Sequence, residues 1–592
     1  MNHATAKIIA SSTAADTVVA SAARISTTQG TALEIYGKSC EKENNGSLIE
    51  KVVASGHTST LEHQLFTVAF DNVSVCTEEF VIEFRLGSYT VKSRRYVDFT
   101  SAGFYIPPMP EQLVPEYQAH MQSLFDAYAK LLELEIPKED ARYLLPYCFR
   151  SNFYCTMNAR ELLYMVTVMC CGRGSYYPEL KTLGESLKEQ LRAYFPNLPE
   201  QFASRYHADA DDSFARYAPP QTTVEKHAPE TAAAVTELRS APPQDADEIL
   251  MNAQVYNGMF SADPEGRYNA AELITAERPR ELELLHAQFV IRDLSLAAIT
   301  HLVRHRIQTV LVPHVTQAVY RQHYVLPESI RANANALAIY QRAFTENAAA
   351  FDRMCKAGLP AEAAQYFALA GNQLDVLCDM NGRELLHFMK LRTCNRAQWE
   401  IRACAIDLLR QLRLACPAVF RHFGPSCYVT GKCPEGRLSC GKLKEMQAFF
   451  SSGMEPDTDA QPQMKMKISF FENQLAEAIG AGVYQISVRK DQKQAVLYIG
   501  ESYSMLNRCA EHLYELQKAP EYFGFTADTI NTPGLTLIFE IAEAEQEKGL
   551  RKKKQYDRIK NMNPLPLSQS GKSDAQKEIP DKIAAMNQFL ES

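Results

Sequence analysis

One short window of this chain is written twice, and that repetition constrains the fold more than any other feature. Cys155, Met157, Asn158, Arg160, Glu161, Leu162 and Leu163 reappear in the same spacing as Cys378, Met380, Asn381, Arg383, Glu384, Leu385 and Leu386, at an offset of 223 residues. The same offset carries Pro137, Glu139, Ala141 and Tyr143 onto Pro360, Glu362, Ala364 and Tyr366, and, further upstream, His63 and Phe66 onto His286 and Phe289. One register shared by so many side chains indicates an internal duplication. Each copy is about 200 residues, the size of a domain and too long for a solenoid repeat. Two like domains on one chain predict a fused dimer with a near-symmetric interface, where a site would draw side chains from both copies.

A chain of 592 residues has room for a further domain beyond the two copies. Hydrophobic content of 46% and charged content of 22% suit a globular protein, and the net charge of −8 argues against wholesale coating of nucleic acid while leaving a local basic site open. The 15 cysteines are odd in number and sit in apolar patterns such as Val168–Cys171. With no apolar leader core in the N-terminal run, they predict reduced thiols in a cytoplasmic protein. No apolar run reaches the roughly 18 residues of a membrane helix, so no membrane partner is expected.

The expected boundaries are 1–217 for the first copy, 230–441 for the second, a linker over 442–466, and a separate domain over 467–592. A polar, Pro-Pro-containing stretch, Ala218–Pro229, separates the copies. In the first copy the pattern predicts a helix over Asp16–Ile25, a polar segment over Thr27–Ser47, and a periodic stretch Leu48–Ser55 stopped by Gly56. A strand over Phe66–Phe70 follows, then a helix running from an N-cap at Thr77 through Arg85, and later an N-cap at Asn158.

His57-Thr58-Ser59-Thr60-Leu61-Glu62-His63 precedes that strand, and Ser88, Ser93, Arg95 and Tyr96 follow the helix. In the second copy, Arg304-His305-Arg306 ends a helix beginning near Leu296, and Leu391-Arg392 with Ala397-Gln398-Trp399-Glu400-Ile401 forms a closing helix. Cations at a helix C-terminus are favoured by its dipole, and paired Arg forks suit phosphate, although such residues also serve as solvated faces.

Together these stretches resemble the flavin-dependent thymidylate synthases, over most of residues 1–441. The fold class implied is α+β, with two tandem thymidylate synthase-like domains forming a pseudo-dimer. Arg304, His305, Arg306 and Asn381 match residues that face FAD, joined by His57 and Ser59 from the other copy. Ser93, Arg95 and Arg142 match residues holding the phosphate of a pyrimidine nucleotide, dUMP or an analogue, and Arg392 matches the Arg that reaches its base. FAD, with methylenetetrahydrofolate and NADPH as co-substrates, would carry the chemistry, so no cysteine is assigned a catalytic role.

The copies depart from the family pattern in complementary ways. The first reads Glu83-Phe84-Arg85 at the Arg-His-Arg position, Thr90-Val91 at Asn-Glu, Met169 at Leu-Arg, and Gly174-Ser175-Tyr176 at Ala-Gln-Trp. The second keeps Arg304-His305-Arg306, Asn381, Arg383, Arg392 and Gln398, but replaces Ser-x-Arg-Tyr within Val310–Gln317 and has Gln365 where the first has Arg142. The pieces are therefore expected not to close into one full site without a second chain or a tolerated loss, with further assembly of the pseudo-dimer into a homodimer as one route. Cys427, Cys433 and Cys440 leave two readings open, a metal site completed by His422 or Cys416 and a reduced, turn-rich terminus, and no metal ligand is assigned.

The last domain carries Gly482-Val483-Tyr484 and Tyr498-Ile499-Gly500 at hairpin distance, then Arg508 and His512 in a helical pattern and a late Asn563-Pro564. These resemble the GIY-YIG nucleases, a small α/β fold, and imply catalytic roles for Tyr484, Tyr498, Arg508 and His512 around Mg²⁺. At the metal-ligating Glu stands Gln555, with Glu545 and Glu547 only distant stand-ins, while Arg551–Lys554 form a basic run suited to DNA. Three functions follow in order of preference: a nucleotide methyltransferase, a nucleic-acid effector on a degenerate nucleotide-binding platform, and a scaffold.

Overall fold

Alternation sets the sheets. Phe66, Val68 and Phe70 point to one face of the strand Leu65–Ser74 and are fully buried, as are Ala287, Phe289 and Ile291 in the strand His286–Ser295. The computed structural model describes residues 3–12, 15–207, 229–256, 270–452, 466–518, 520–526, 529–532, 534–562 and 579–591. The chain divides into two compact units, Met1–Ser451 and Ser452–Ser592, and both copies fall in the first.

Each copy is built on a four-stranded antiparallel sheet. In the first, Thr5–Ser11, Leu65–Ser74, Arg150–Asn158 and Gly87–Val91 lie side by side in that order, and in the second, Val235–Ser240, His286–Ser295, Gln373–Asn381 and Gln308–Leu311 do the same. The pairing registers correct one expectation. Asn158 pairs with Leu65 and Asn381 with His286, so Leu65 corresponds to His286 at an offset of 221, and Phe66 corresponds to Ala287 and not to Phe289. A two-residue slip returns every side chain to the same face, so the apolar pattern conceals it.

Both second strands run into a helix, Val75–Ile82 and Leu296–Leu302, capped by Ser74 and Ser295. The cap is thus Ser74, not Thr77, whose hydroxyl instead donates to Glu179 at 2.9 Å, and the helix stops at Ile82. Ser74 N–H donates to Glu179 at 2.8 Å and Ser295 N–H to Glu400 at 2.9 Å, the same buried arrangement made twice. The expected polar segment Thr27–Ser47 contains a helix, Ala32–Cys40, opened by a Thr31/Glu34 capping box. The expected linker begins with a helix, Leu443–Ser451, which buries Met446 and Phe450. The remainder of that linker, 453–465, and most of Ala218–Pro229 lie outside the described residues.

Main chain joins the copies. Tyr147 N–H donates to Ala368 at 2.8 Å, Ala370 N–H to Leu145 at 3.0 Å and Gly371 N–H to Tyr143 at 2.9 Å. A Cβ on Gly371 would stand 2.9 Å from Phe344 and 3.1 Å from Tyr143, so only glycine allows this approach. A reciprocal pair shows the pseudo-twofold. Arg306 Nη1 donates to the Gly87 carbonyl at 2.8 Å, and Arg85, its counterpart at offset 221, donates to the Gln308 carbonyl.

The second unit holds a four-stranded sheet in the order Lys467–Phe470, Leu535–Ala544, Gly482–Lys490, Lys493–Ser502, with only the first pair parallel. Helices Met505–Lys518, Lys548–Met562 and Ile579–Glu591 accompany it. No helix among the described residues is long and apolar enough to cross a membrane.

Candidate functional site

Four guanidinium groups from both copies converge in the first unit. Arg95 follows the strand Gly87–Val91, Arg142 opens the short 3-10 turn Arg142–Leu144, Arg304 lies just past the helix Leu296–Leu302, and Arg392 ends the helix Gly382–Arg392. Burial, then the nearby Arg304 and Arg95, pushes Arg392 down to about 10. His301 sits among them; burial, then Arg142, Arg392, Arg304 and Arg95, pushes it down to about 2. It was absent from the sequence expectation, yet its nearness in sequence signals it: His301 lies in the last turn of the helix, three residues before Arg304.

Some of this charge is balanced inside the protein. Arg95 pairs with Glu139 at 3.0 Å and also donates to the Arg396 carbonyl at 3.1 Å, while Ser93 Oγ accepts from Arg95 N–H at 3.3 Å. Arg142 donates through Nε to the Glu139 carbonyl at 3.1 Å. Its Nη2 is buried without a hydrogen-bond partner, and so is His301 Nε2. Buried polar atoms left unpaired cost roughly 1–3 kcal/mol each, so these two mark a place that an oxygen-rich anion satisfies.

His305 is placed differently from its expectation. It is 2% exposed, its Nδ1 lies 2.9 Å from Glu384 Oε1, and its Nε2 accepts from Arg392 Nε at 2.9 Å. With both nitrogens engaged it has no polar atom left for a cofactor. The Arg392 bond requires a bare Nε2, so the proton is on Nδ1, facing Glu384. Burial, then Arg392 and His387, holds the ring neutral, at about 2. His305 therefore positions Arg392. The expected single closing helix is also two helices, Gly382–Arg392 and Trp399–Ala415, the second capped by Gln398. Gln398 Nε2 donates to Tyr143 Oη of the other copy at 2.7 Å.

A cavity of about 930 Å³ opens across the pseudo-twofold, lined by Arg306 and Asn381 of the second copy and by Glu83, Arg85, Tyr164 and Arg173 of the first, among others. Asn381 Oδ1 caps its helix by accepting from Glu384 N–H at 2.9 Å. His57 and Ser59 are exposed and do not line this cavity. The structure brings Arg95, Arg142, Arg304 and Arg392 together within one chain.

Tyr177, His314 and Phe80 fill the opposite place across the pseudo-twofold, while Glu83 and Arg173 at its edge line the cavity. Because Glu179 matches Glu400 at offset 221, Tyr177-Pro178 occupies the Gln398-Trp399 position, which corrects the expected Gly174-Ser175-Tyr176. Tyr177 Oη lies 3.0 Å from His314 Nε2 with the rings stacked, and the Arg173 guanidinium lies 5.0 Å over Phe80 and pairs with Glu83.

In the second unit, Tyr484 pairs across the hairpin with Gly500, and a Cβ there would fall 2.2 Å from the Tyr484 ring, so glycine is required. Tyr484 Oη lies 2.8 Å from His512 Nε2, and His512 Nδ1 2.8 Å from Tyr522 Oη. Tyr484 and His512 are each 1% exposed, part of the core and not of an open cleft. Tyr498 is half-buried beside His512, with ring centroids 4.6 Å apart, and Arg508 acts on both Tyr484 and His512. Gln555 donates to the Ile499 carbonyl at 3.0 Å. The basic run is not free as expected: Arg551 pairs with Glu501 at 2.9 Å, and Lys554 with Glu543 at 2.8 Å and Glu545 at 2.7 Å. Lys552 and Lys553 remain exposed.

Comparison with known proteins agrees with the duplication. The family described as Thymidylate synthase complementing protein matches twice, over residues 7–197 and 202–418. A flavin-dependent thymidylate synthase of Geobacter sulfurreducens is 38% identical over 172 residues, covering 28% of this chain and 74% of the relative. Another, of Clostridium tetani, is 30% identical over 186 residues with the same two coverages, 28% and 74%. Among solved structures, the UMP/dUMP methylase PolB from Streptomyces cacaoi bound with 5-Br dUMP is 24% identical, spans 34% of this chain and 96% of its own, and superposes with a TM-score of 0.30, too low to carry an argument.

Proposed function

Since the chain belongs to the family of flavin-dependent thymidylate synthases, in two tandem copies, we propose that it methylates a pyrimidine nucleotide, dUMP or a close analogue, at one site per chain. The observation that carries this reading is the cluster of Arg95, Arg142, Arg304 and Arg392 with two buried, unpaired donor-capable atoms, Arg142 Nη2 and His301 Nε2. A nucleotide 5′-phosphate supplies the missing acceptors, held by Ser93, Arg95 and Arg142. Arg392, fixed by His305 and Glu384, reaches the base.

The cavity suits FAD in size: about 930 Å³ is within the usual range for a cofactor pocket, and Arg306 and Asn381 stand at its wall. When bound, FAD would supply hydride and mediate one-carbon transfer from methylenetetrahydrofolate, with NADPH as reductant. The protein binds, orients and neutralises charge around it. Flavin absorbance of the purified protein, with dUMP titrated into it, tests the reading. A colourless protein that ignores dUMP after FAD is added overturns it.

For the C-terminal unit we propose nucleic-acid binding without metal-dependent cleavage. Mg²⁺ does not fit the residues present. Gln555 offers a neutral amide already bonded to main chain, and Glu501, Glu543 and Glu545 are engaged by Arg551 and Lys554. Exposed Lys552 and Lys553 remain for phosphates, so DNA binding should weaken steeply with salt. Mg²⁺-dependent nicking by the native protein, or salt-insensitive binding, overturns this proposal.

A further inference from the structure

Arg94 lies between two residues of the proposed phosphate site, Ser93 and Arg95, yet it is turned into the protein interior. It is 8% exposed, its Nη2 pairs with Glu78 Oε1 at 2.6 Å, and its Nη1 lies 3.6 Å from Glu79 Oε1. Glu78 is buried as well, and its second oxygen accepts from Ser151 Oγ. The guanidinium lies over the Phe149 ring, 5.2 Å from the centroid. One side chain thus ties the turn after the strand Gly87–Val91 to the helix Val75–Ile82 and, through Glu78, to the strand Arg150–Asn158. The turn closes on itself through Val97 N–H, which donates to the Ser93 carbonyl at 3.0 Å.

The second copy builds the same scaffold without these groups. At the offset of 221, Glu78 corresponds to Ile299 and Arg94 to Val315. Ser74 pairs with Arg150 as Ser295 pairs with Gln373, so Ser151 corresponds to Leu374. Three polar partners in one copy are three aliphatic residues in the other, and Ile299 and Leu374 are buried there. Removing two charges from water costs about as much as their attraction returns, so a buried ion pair adds little stability over apolar residues of similar size. What it adds is direction, because a guanidinium and a carboxylate meet in a narrow range of geometries and a pair of aliphatic side chains does not. The copy with the pair is the copy with Ser93 and Arg95. Where the pair is absent, His314 and Thr316 stand in their places and the chain enters a helix, Thr316–Arg321.

We propose that Arg94, held by Glu78 and Ser151, is a positioning residue for nucleotide binding: it fixes the turn so that Ser93 and Arg95 meet the 5′-phosphate. It acts through the main chain on either side of it and touches no ligand itself. The proposal rests on the nucleotide reading of the four-arginine site.

The test transplants the second copy's pair into the full-length protein as the double variant Glu78→Ile with Arg94→Val, and measures melting temperature and ligand titration together. The melting temperature should stay at the wild-type value, while dUMP binds about tenfold or more weakly, the loss of one charge-assisted phosphate contact. Binding of deoxyuridine, which carries the base and sugar without the phosphate, should not change. Where the double variant does not fold, Arg94→Lys, which keeps the charge and loses the fork, decides by the same split, with dUMP weakened and deoxyuridine unaffected. Wild-type affinity for dUMP in a folded variant overturns the proposal. So does a fall in melting temperature with both ligands weakened alike, which marks the pair as structural support only. A wild-type protein that ignores dUMP overturns the nucleotide reading and this proposal with it, whereas wild-type binding retained in the variant overturns this proposal alone.

Discussion

Two places in the first unit occupy equivalent positions about the pseudo-twofold and have opposite character. One gathers Arg95, Arg142, Arg304 and Arg392. The other presents Thr316, Gln365, Glu83 and Met169 at the corresponding positions. Where the first has His301 and His305, the second has Phe80 and Phe84; where it has Ser93 and Gln398, the second has His314 and Tyr177, stacked on each other. The scaffold around both is unchanged, down to the buried carboxylates of Glu179 and Glu400 on the Ser74 and Ser295 caps. The two places thus differ in net charge and open donors, since the second pairs Arg173 with Glu83 and covers Phe80 with it.

The sharpest way to break the comparison is to count ligands. Calorimetric titration with dUMP should saturate at one per chain, and two per chain would show the filled place to be open. Arg95→Ala and Arg392→Ala should each weaken binding by about 1.5–3 kcal/mol, the range for a charged hydrogen bond, with the double variant short of additive. Thr316→Ala and Met169→Ala, at the counterpart positions, should leave the affinity as it is.

Flavin retention sharpens it next. Arg306 and Arg85 make the same bond across the pseudo-twofold and both line the cavity, but Arg85 is flanked by Glu83 and Arg306 by Arg304. Arg306→Ala should cost FAD affinity about 1.5–3 kcal/mol and bleach the protein, with a smaller loss for Arg85→Ala. Equal retention in the two variants would remove the distinction between the copies.

A third test uses protons. The folded state holds His301 and His305 at about 2, below the ordinary imidazole value of 6.5. Their stabilisation is therefore present above about pH 6.5 and is lost as pH falls, because the unfolded chain binds those protons first. Phe80 shows that a phenyl ring fits the His301 position. His301→Phe should flatten the acid side of the stability curve by about one proton, or ~1.4 kcal/mol per pH unit below 6.5. Glu400, raised by burial to about 7, has the opposite sign and is common to both proteins, so it cancels in the difference. An unchanged slope in denaturant melts from pH 4 to pH 7 would refute the assignment.

The smallest effect is expected at the filled place. Tyr177→Phe removes the bond to His314 and should cost about 0.5–1.5 kcal/mol of stability with no change in dUMP binding.

Much of this was legible in the sequence because the duplication is written in identical residues at one fixed spacing, from Cys155–Leu163 to Cys378–Leu386. Asn158 caps its helix as the sequence indicates, and the helix before Arg304 begins at Leu296. What escaped was register. A strand repeats every two residues, so an offset of 221 and one of 223 give the same apolar faces, and only hydrogen-bond pairing separates them. Thr77 looked like a cap because it resembles Ser74 chemically, and the distinguishing fact, Glu179, lies 102 residues away. His305 matched a ligand-facing position by motif, yet its role depends on Glu384 and Arg392, which meet it only in three dimensions. The tail's basic run read as open for the same reason: Glu501, Glu543 and Glu545 come to it from other strands.

The reciprocal bonds of Arg85 and Arg306 have a consequence for descent. In an assembly of identical chains, a single codon change alters both ends of a twofold contact, so a substitution that improves one side must be tolerated on the other. Here the two ends are separate codons, 221 positions apart. Arg306 can be kept while its twin drifts, and Glu83 can arise without harming Arg304. Fusion lifts the constraint that symmetry places on mutation, and the surviving pair of bonds records the dimer from which the chain descended.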